Sequence, residues 1–141
     1  MSNLEQYERI ARKLGELHKN MKQLQGKMLE KYDISLIEYH ILMLLWKNES
    51  LNQNDLVQNL NVDKALISRQ VQNMEKKELV VTAVDPDCRR KKVLLLSNKS
   101  KELIPNLELA HREGLETIFG DISSDKLSDF ELIIEGLVKK L

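Results

Sequence analysis

The sequence has few of the residues that cross-link or bend a chain: among its 141 residues are one cysteine, two prolines and five glycines. A single cysteine excludes an intrachain disulfide, and three histidines without neighbouring cysteines lack the spacing of a metal site. The longest apolar run, at 41–46, is far shorter than the roughly 20 residues that span a bilayer. The N-terminus lacks the apolar centre of a signal peptide. We therefore expect a cytoplasmic protein with no membrane segment, metal or cofactor.

An excess of charge of one sign is also missing. Lysines and arginines number 22, as do aspartates and glutamates, so the formal net charge is zero. A nucleic-acid partner would therefore have to be recognised by a local patch. The sequence also has no Ser-His-Asp, Cys-His, glycine-rich phosphate-loop or paired-carboxylate pattern, so we expect no catalytic residues and no enzymatic activity.

The chain is long enough for one domain, and its scarcity of glycine and proline favours a mostly helical fold. A long first helix is predicted because apolar residues recur in steps of three and four. They are Tyr7, Ile10, Leu14, Leu17, Met21, Leu24 and Met28. So narrow a stripe fits either a helix that lies on its own domain or one that associates with another subunit.

Side chains that cap helices divide the middle of the chain. Ser35 is placed to cap a second, almost wholly apolar helix, which should be central. Asn52 and Asp55 have the spacing of a capping box that opens a short helix, and Asn61 suits the turn that ends it. Asp63 should cap a further helix over 63–77, whose inward stripe consists of Ile67, Val71 and Met74.

The second half begins with strand-like residues at 79–84 and 93–96, which predict a hairpin around the charged stretch between them. Ser97 should then cap a long helix that ends near Phe119, and Ser124 a last one. The last helix again carries apolar residues in steps of three and four. They are Leu127, Phe130, Ile134, Leu137 and Leu141.

Opposite its inward stripe, at about 100° per residue, the helix over 63–77 presents small and hydrogen-bonding side chains. They are Lys64, Ala65, Ser68, Arg69, Gln72 and Lys76. Small residues let a backbone approach the floor of a groove, Arg69 and Gln72 can make bidentate bonds to base edges, and lysines suit phosphates. The alternative for this helix taken alone is an ordinary solvated polar face. The helix is followed by Arg89, Arg90 and Lys91 at a hairpin tip, where an arginine can enter a minor groove. This combination favours binding to double-stranded DNA.

Residues 51–80, LNQNDLVQNLNVDKALISRQVQNMEKKELV, followed by DPDCRRKKVLLLS at 85–97, resemble the MarR family of transcriptional regulators. ISLIEYHILMLL at 34–45 fits the same family, so the resemblance extends over the whole chain. It implies a mainly α fold with a small β-hairpin wing. A winged helix-turn-helix lobe would occupy about 33–97, and dimerisation helices about 1–32 and 98–141, of a single domain.

The family resemblance further implies a homodimeric repressor that binds a roughly palindromic operator. A small aromatic or phenolic effector would bind between the dimer helices and the DNA-binding lobe. Side chains able to line such a pocket are Tyr32, Tyr39, His40, Met43 and Trp46. Each fits a core or interface position better, so no ligand site follows from them.

Within the resemblance, Ser68 and Arg69 fall on the family's polar recognition positions. Arg90 falls on its wing arginine if Ser97 is aligned with the usual threonine, whereas a shift of one residue puts Arg89 there. With Arg90 on the wing arginine, Cys88 stands where an aspartate typically braces it, so that Asp85 or Asp87 would have to do so; with the shift, Asp87 itself takes the place of that aspartate.

Two family glycines are also replaced. Glu78 stands where a glycine usually ends the recognition helix, and a left-handed backbone there would cost about 1 kcal/mol. Asn61 replaces a second turn glycine at less cost.

Two other functions fit parts of the sequence. The zero net charge suits a winged-helix module that binds proteins rather than DNA. Alternatively, Cys88, flanked by Arg89 and Arg90, would act as a thiol whose oxidation switches a regulator.

Overall fold

The structure, a computed structural model, describes residues 3–141 as six helices and one antiparallel two-stranded sheet. Residues 1 and 2, part of the predicted dimerisation segment, lie outside the described residues. The elements are α1 (Asn3–Glu30), α2 (Leu36–Lys47), α3 (Gln53–Leu60), α4 (Lys64–Lys76), β1 (Val80–Asp85), β2 (Cys88–Leu96), α5 (Asn98–Phe119) and α6 (Ser124–Lys140). This confirms the predicted mainly α fold with one hairpin.

Side-chain caps start the helices where the sequence predicted them. Asn52 and Asp55 form a capping box: the backbone N–H of each donates to the side chain of the other, over 3.0 and 2.8 Å. The Asp63 carboxylate accepts from the N–H of Leu66 at 2.7 Å, and the Ser97 hydroxyl from that of Ser100 at 3.1 Å. Each cap satisfies backbone donors that the first helical turn leaves free.

The cap predicted for the last helix was wrong by one residue. Ser123, rather than Ser124, precedes α6, and its hydroxyl accepts from the N–H of Lys126 at 3.4 Å. Both residues are serines, and only position 123 has the extended backbone and the three-residue spacing that a cap requires.

The core is built around α2, as predicted for its apolar sequence. Ile41 and Leu42 are fully buried, and α2 contacts α1, α3, α4, α5 and β2. From α4, the predicted stripe of Ile67, Val71 and Met74 completes this cluster. Burying these side chains orients α4, so its opposite face is turned toward solvent.

The long first helix divides into two parts. Residues 3–20 are exposed along their whole length, whereas Gln25 and Leu29 further along α1 are buried, where this helix packs on α5. Helix α6 has no buried residue. The second half of α1 therefore lies on its own chain, while its first half and α6 leave their apolar stripes uncovered.

The hairpin of β1 and β2 is called the wing (residues 80–96) below. Its base is joined to the loop before α3, because Leu51 and Leu94 exchange backbone hydrogen bonds of 3.3 and 2.7 Å. Over residues 3–141, no helix combines the length and apolar character needed to cross a membrane.

Candidate nucleic-acid interface

The outward face of α4 carries every residue that the sequence assigned to it. Lys64, Ala65, Arg69, Gln72 and Lys76 are exposed, and Ser68 is half-buried. The angle at which this face is presented depends on the turn from α3, where Asn61 has a left-handed backbone with φ 52°. Asparagine tolerates this conformation better than most residues.

The hydrogen-bonding groups on this face are not used within the protein. Among the described residues, neither the guanidinium of Arg69 nor the amide of Gln72 has a hydrogen bond or ion pair to another side chain. The guanidinium can donate two hydrogen bonds to the N7 and O6 acceptors of guanine, and the amide can donate to N7 of adenine while its oxygen accepts from the N6 amino group. The face is therefore chemically equipped to contact bases.

The wing differs from its prediction in the position of its cations. The turn consists of Pro86 and Asp87, and the second strand already begins at Cys88 instead of at 93. The carboxylate of Asp85 accepts from the N–H of Asp87 at 2.9 Å. This short bond closes the turn before the basic run starts, so the cations lie along β2 and not at the tip.

Within β2 the basic residues leave the regular ladder. Asp85 pairs with Cys88 and Val84 with Lys92, so the register passes over the intervening residues. These are Arg89, Arg90 and Lys91, all exposed. Such an irregularity bends a strand and increases its twist, and these three cations lie outside the regular pairing, exposed to solvent.

The two aspartates of the turn do not brace the arginines in this structure. The described residues contain no ion pair between Asp85 or Asp87 and either Arg89 or Arg90. Asp85 is used instead to close the turn. The guanidinium groups are therefore free to meet an external anion.

A side-chain hydrogen bond joins the wing to α4: the hydroxyl of Thr82 on β1 donates to the carboxylate of Glu75 on α4 at 3.1 Å. Just before the wing, the N–H of Leu79 donates to the Met74 carbonyl at 2.9 Å and closes the end of α4. Between them Glu78 has a left-handed backbone, φ 61°, as its replacement of a glycine suggested. Sequence reasoning missed the pair of Thr82 and Glu75, because no local periodicity links a helix to the following strand.

The far end of α4 is held by a second contact that sequence reasoning missed. The ammonium of Lys77 lies 3.0 Å from a carboxylate oxygen of Glu38 and donates to the Asp33 carbonyl at 2.8 Å. That same Glu38 oxygen accepts from the N–H of Ser35 at 2.9 Å. A serine followed three residues later by glutamate was a readable capping-box signal, although the partner of Glu38 was not readable.

Cys88 is half-buried at the start of β2, and residues 3–141 contain no group of three or more His, Cys, Asp or Glu side chains that could hold a metal ion.

Comparisons with known proteins agree with this geometry. A sequence model of the MarR family matches residues 34–92, from just before α2 to the basic run of the wing. The uncharacterized HTH-type transcriptional regulator YdgJ of Bacillus subtilis (strain 168) is 23% identical over 93 residues, which cover 66% of this chain. The same match spans 57% of YdgJ, little more than half of its length.

Solved structures match nearly the whole fold. A crystal structure of a MarR transcriptional regulator from Methanosarcina mazei Go1 is 25% identical, with a TM-score of 0.79 over 95% of this chain and 99% of that one. The S. aureus MepR-DNA complex is 22% identical, with a TM-score of 0.85 over 93% and 97% of the two chains. At that identity the second match establishes the shared fold, and the bound DNA belongs to MepR.

Proposed function

Because the chain belongs to the MarR family of winged helix-turn-helix transcriptional regulators, which bind DNA, we propose that it is a homodimeric repressor of a roughly palindromic operator whose affinity for DNA is set by a small effector. It is a regulator and not an enzyme. The observation that carries the proposal is an outward face of α4 with unpaired groups that can hydrogen-bond base edges, followed by a wing with three exposed cations.

In the proposed complex, α4 enters the major groove. Ala65 and Ser68 allow close approach, Arg69 and Gln72 read base edges, and Lys64 and Lys76 contact phosphates on either side. On the wing, Arg89 or Arg90 enters the neighbouring minor groove, while Lys91 adds attraction to the backbone.

Dimerisation is supported by apolar surface that the single chain leaves open. In α1, Tyr7 is 59% and Ile10 48% exposed, and in α6, Ile133 is 61% and Val138 68% exposed. Contiguous apolar faces of this kind mark association surfaces. We propose that the segments 1–32 and 98–141 of this single domain pair with those of a second copy, leaving 33–97 free to bind DNA.

A two-fold dimer explains the form of the proposed operator. Its two recognition helices occupy equivalent half-sites, which must lie roughly 34–36 Å apart, about one duplex turn. A bound dimer covering a promoter would exclude RNA polymerase, which is the basis for proposing repression.

A cavity of about 530 Å³ supports the effector part of the proposal. That size falls within the roughly 300–1,000 Å³ of small-molecule pockets. The cavity lies between α1, α2 and the turn before α4, and its lining is apolar with a few polar side chains. It is lined by His18, Met21, Lys22, Gln25, Leu36, Ile37, His40, Leu60 and Val62.

Two features relate this cavity to regulation. Gln25 is 7% exposed, and its side-chain amide has no hydrogen bond to another described residue, so that amide is available to a ligand. Leu60 and Val62 flank Asn61, the turn residue that orients α4. A small aromatic acid would match the apolar walls and Lys22, and it would contact the turn that sets the angle of α4. Of the side chains considered from the sequence, only His40 lines this cavity.

The main experiment measures binding of the dimer to duplex DNA from the region upstream of its own gene across a salt series. We expect a specific fragment, protected over two half-sites, with log affinity falling by roughly 0.9 per neutralised phosphate for each unit of log salt. In a reconstituted transcription assay, the same fragment should give less transcript as the protein is added. Binding without salt dependence, or none to any fragment, would refute the proposal.

The effector is tested by repeating that titration with benzoate and its hydroxylated derivatives. We expect weaker operator binding by wild type and a smaller effect in Lys22→Met. The matched control is Lys19→Met, an exposed lysine of the same helix that does not line the cavity. Equal responses of all three proteins would place any effector site elsewhere.

A further inference from the structure

Lys77, immediately after α4, reaches beyond its own element in three directions. Its ammonium contacts the carboxylate of Glu38 at 3.0 Å and the carbonyl of Asp33 at 2.8 Å. Its own carbonyl accepts from the ammonium of Lys99, on α5, at 2.9 Å. One residue thus connects the end of α4 to the α1–α2 turn, to α2 and to α5.

These contacts lie at the margin of the core, where the Lys77 side chain is 32% and the Glu38 side chain 3% exposed. The end of α4 and the start of α2 face each other over a cleft of about 420 Å³, lined by Ser35, Glu38, Gln70, Asn73, Lys76 and Lys77. The buried stripe holds the inner side of α4, and beside this cleft the Lys77 ammonium joins the end of the helix to Glu38 and Asp33. A change in that contact would alter how the end of α4 is held while leaving the buried stripe in place.

The two partners of Lys77 make this contact sensitive to substitution. Glu38 is only 3% exposed, and one of its oxygens serves both Lys77 and the N–H of Ser35. A buried carboxylate that loses its cation is left with an uncompensated charge, which favours rearrangement around it. The other partner, the carbonyl of Asp33, belongs to a non-glycine residue with a left-handed backbone, φ 56°.

We propose that Lys77 is a positioning residue for operator recognition: it sets the tilt of α4 relative to the α1–α2 turn, and thereby the separation of the two recognition helices in a dimer. It acts through Glu38 and Asp33, without contacting bases. The inference rests on the proposed dimeric operator binding. It adds a connection, through the α1–α2 turn, between α1, which carries the apolar stripe proposed to dimerise, and α4, which faces DNA.

The test compares Lys77→Met, Glu38→Gln and the double variant with wild type and with Lys101→Met. Glu38→Gln keeps an oxygen for Ser35 but removes the charge. Lys101 is exposed on α5 and has no contact with the Lys77 cluster, so Lys101→Met is a matched loss of one cation. Each protein is titrated with the specific fragment, with a scrambled duplex, and with operators whose half-site spacing is changed by one base pair.

We expect Lys77→Met and Glu38→Gln each to lower the ratio of specific to scrambled affinity by about 2- to 30-fold, and to weaken the preference for the native spacing. In the double variant the second change should add little, because the two residues act as one pair. Lys101→Met should lower both affinities together and leave their ratio and the spacing preference unchanged.

Several results would overturn the inference. One is a Lys77→Met protein that behaves like Lys101→Met, since Lys77 would then be only a general cation. Additive losses in the double variant would show that Glu38 is not the partner through which it acts. If Lys77→Met fails to fold by circular dichroism, Glu38→Gln carries the test alone, and an unchanged ratio there refutes the proposal. Failure of wild type to prefer any fragment would instead refute the dimeric operator function.

Discussion

Single residues of the interface differ in how much sequence information their contacts carry. An arginine that bonds the edge of a base distinguishes one base pair from another, whereas an arginine held against a phosphate or in a narrow groove contributes to every sequence. Arg69 on α4 and the arginines of the wing represent these two kinds, and substitution separates them.

For Arg69→Ala we expect a loss of about 1–3 kcal/mol on the operator and a relaxed preference at one base pair, because a bidentate contact to one base is removed. The measurement is the Kd of wild type and variant for the operator and for every single-base change within one half-site. An unaltered base preference would show that Arg69 does not read a base.

The wing arginines are separated by Arg89→Ala and Arg90→Ala. Both residues are exposed in the irregular part of β2, and we expect the one that enters the minor groove to weaken binding to all sequences. Its loss should also lower the salt slope by about one. Titrations of both variants at several salt concentrations decide between the two arginines. If neither variant changes the salt slope, the wing does not contact DNA.

Backbone strain at Glu78 predicts a stabilising substitution. Its left-handed conformation, φ 61°, is costly for a side chain with a Cβ and free of that cost for glycine. We expect Glu78→Gly to raise the free energy of unfolding by about 0.5–1 kcal/mol, measured by urea denaturation. The control, Asn73→Gly within α4, should lower it by a similar amount because the backbone there is helical. Destabilisation by both variants would show that the strain at 78 is already relieved.

At the scale of elements, α2 and α5 meet at a group of aromatic rings. The ring of Tyr39 lies 4.7 Å from that of His111 and 5.6 Å from that of His40, and the two imidazoles are 6.2 Å apart. Burial lowers the pKa of His111, and partial burial together with the His111 charge lowers that of His40. Nδ1 of His111 is buried without a hydrogen-bond partner. Glu108 and Arg112, also on α5, act on this group, with opposite effects on the raised pKa of Tyr39, which is due mainly to burial.

This group predicts an acid-sensitive junction. Since the folded-state pKa of both histidines lies below the value of the unfolded chain, about 6.5, the unfolded state binds more protons as the pH falls. The contribution of these two histidines to the free energy of unfolding is then fully present above about pH 6.5. It is lost as the pH falls toward their folded-state pKa values. We expect His111→Leu to flatten this dependence between about pH 7.5 and 5, as measured by urea unfolding. An unchanged pH profile would assign the acid sensitivity to other groups.

Sequence patterns predicted elements well where local chemistry decides them. The buried stripe of Ile67, Val71 and Met74 follows from helical periodicity, and the caps at Asn52, Asp63 and Ser97 follow from short spacings. The basic run of the wing was misplaced because CRRKK shows no alternation from which a strand could be recognised, so its register depends on the Asp85 turn. The contact between Lys77 and Glu38 was not predictable either, since it joins residues 39 positions apart.

For the whole molecule, the neutral net charge conceals an uneven distribution. Residues 64–92 contain eight lysines and arginines against four acids, and because the totals are 22 each, the remainder of the chain is acidic by the same excess. The segment that carries α4 and the wing therefore holds an excess of four positive charges. An electrostatic field of this form attracts DNA to the recognition surface and orients the protein during approach, so zero net charge does not argue against DNA binding.

Assembly of two chains should determine whether this surface binds an operator tightly. Ile10 and Leu14 are exposed on α1 and are not part of the core cluster, so Ile10→Glu combined with Leu14→Glu should leave the chain folded but monomeric. In a dimer, binding of one subunit raises the effective concentration of the other subunit at the second half-site. A monomer binds one half-site at a time and lacks this gain. We therefore expect operator affinity to fall by about 100-fold or more.

Analytical ultracentrifugation and operator titration of the same samples test this. Removing everything before Asp33 would be a poorer test than the double substitution, because Leu29 is part of the core. The control is Leu132→Glu, which alters a residue 66% exposed on α6. At about 100° per residue, this residue lies opposite the stripe of Phe130 and Leu137. It should stay dimeric with wild-type affinity, since it lies off the proposed interface. A dimer that survives both changes on α1 would show that the uncovered stripe of that helix does not hold the two chains together.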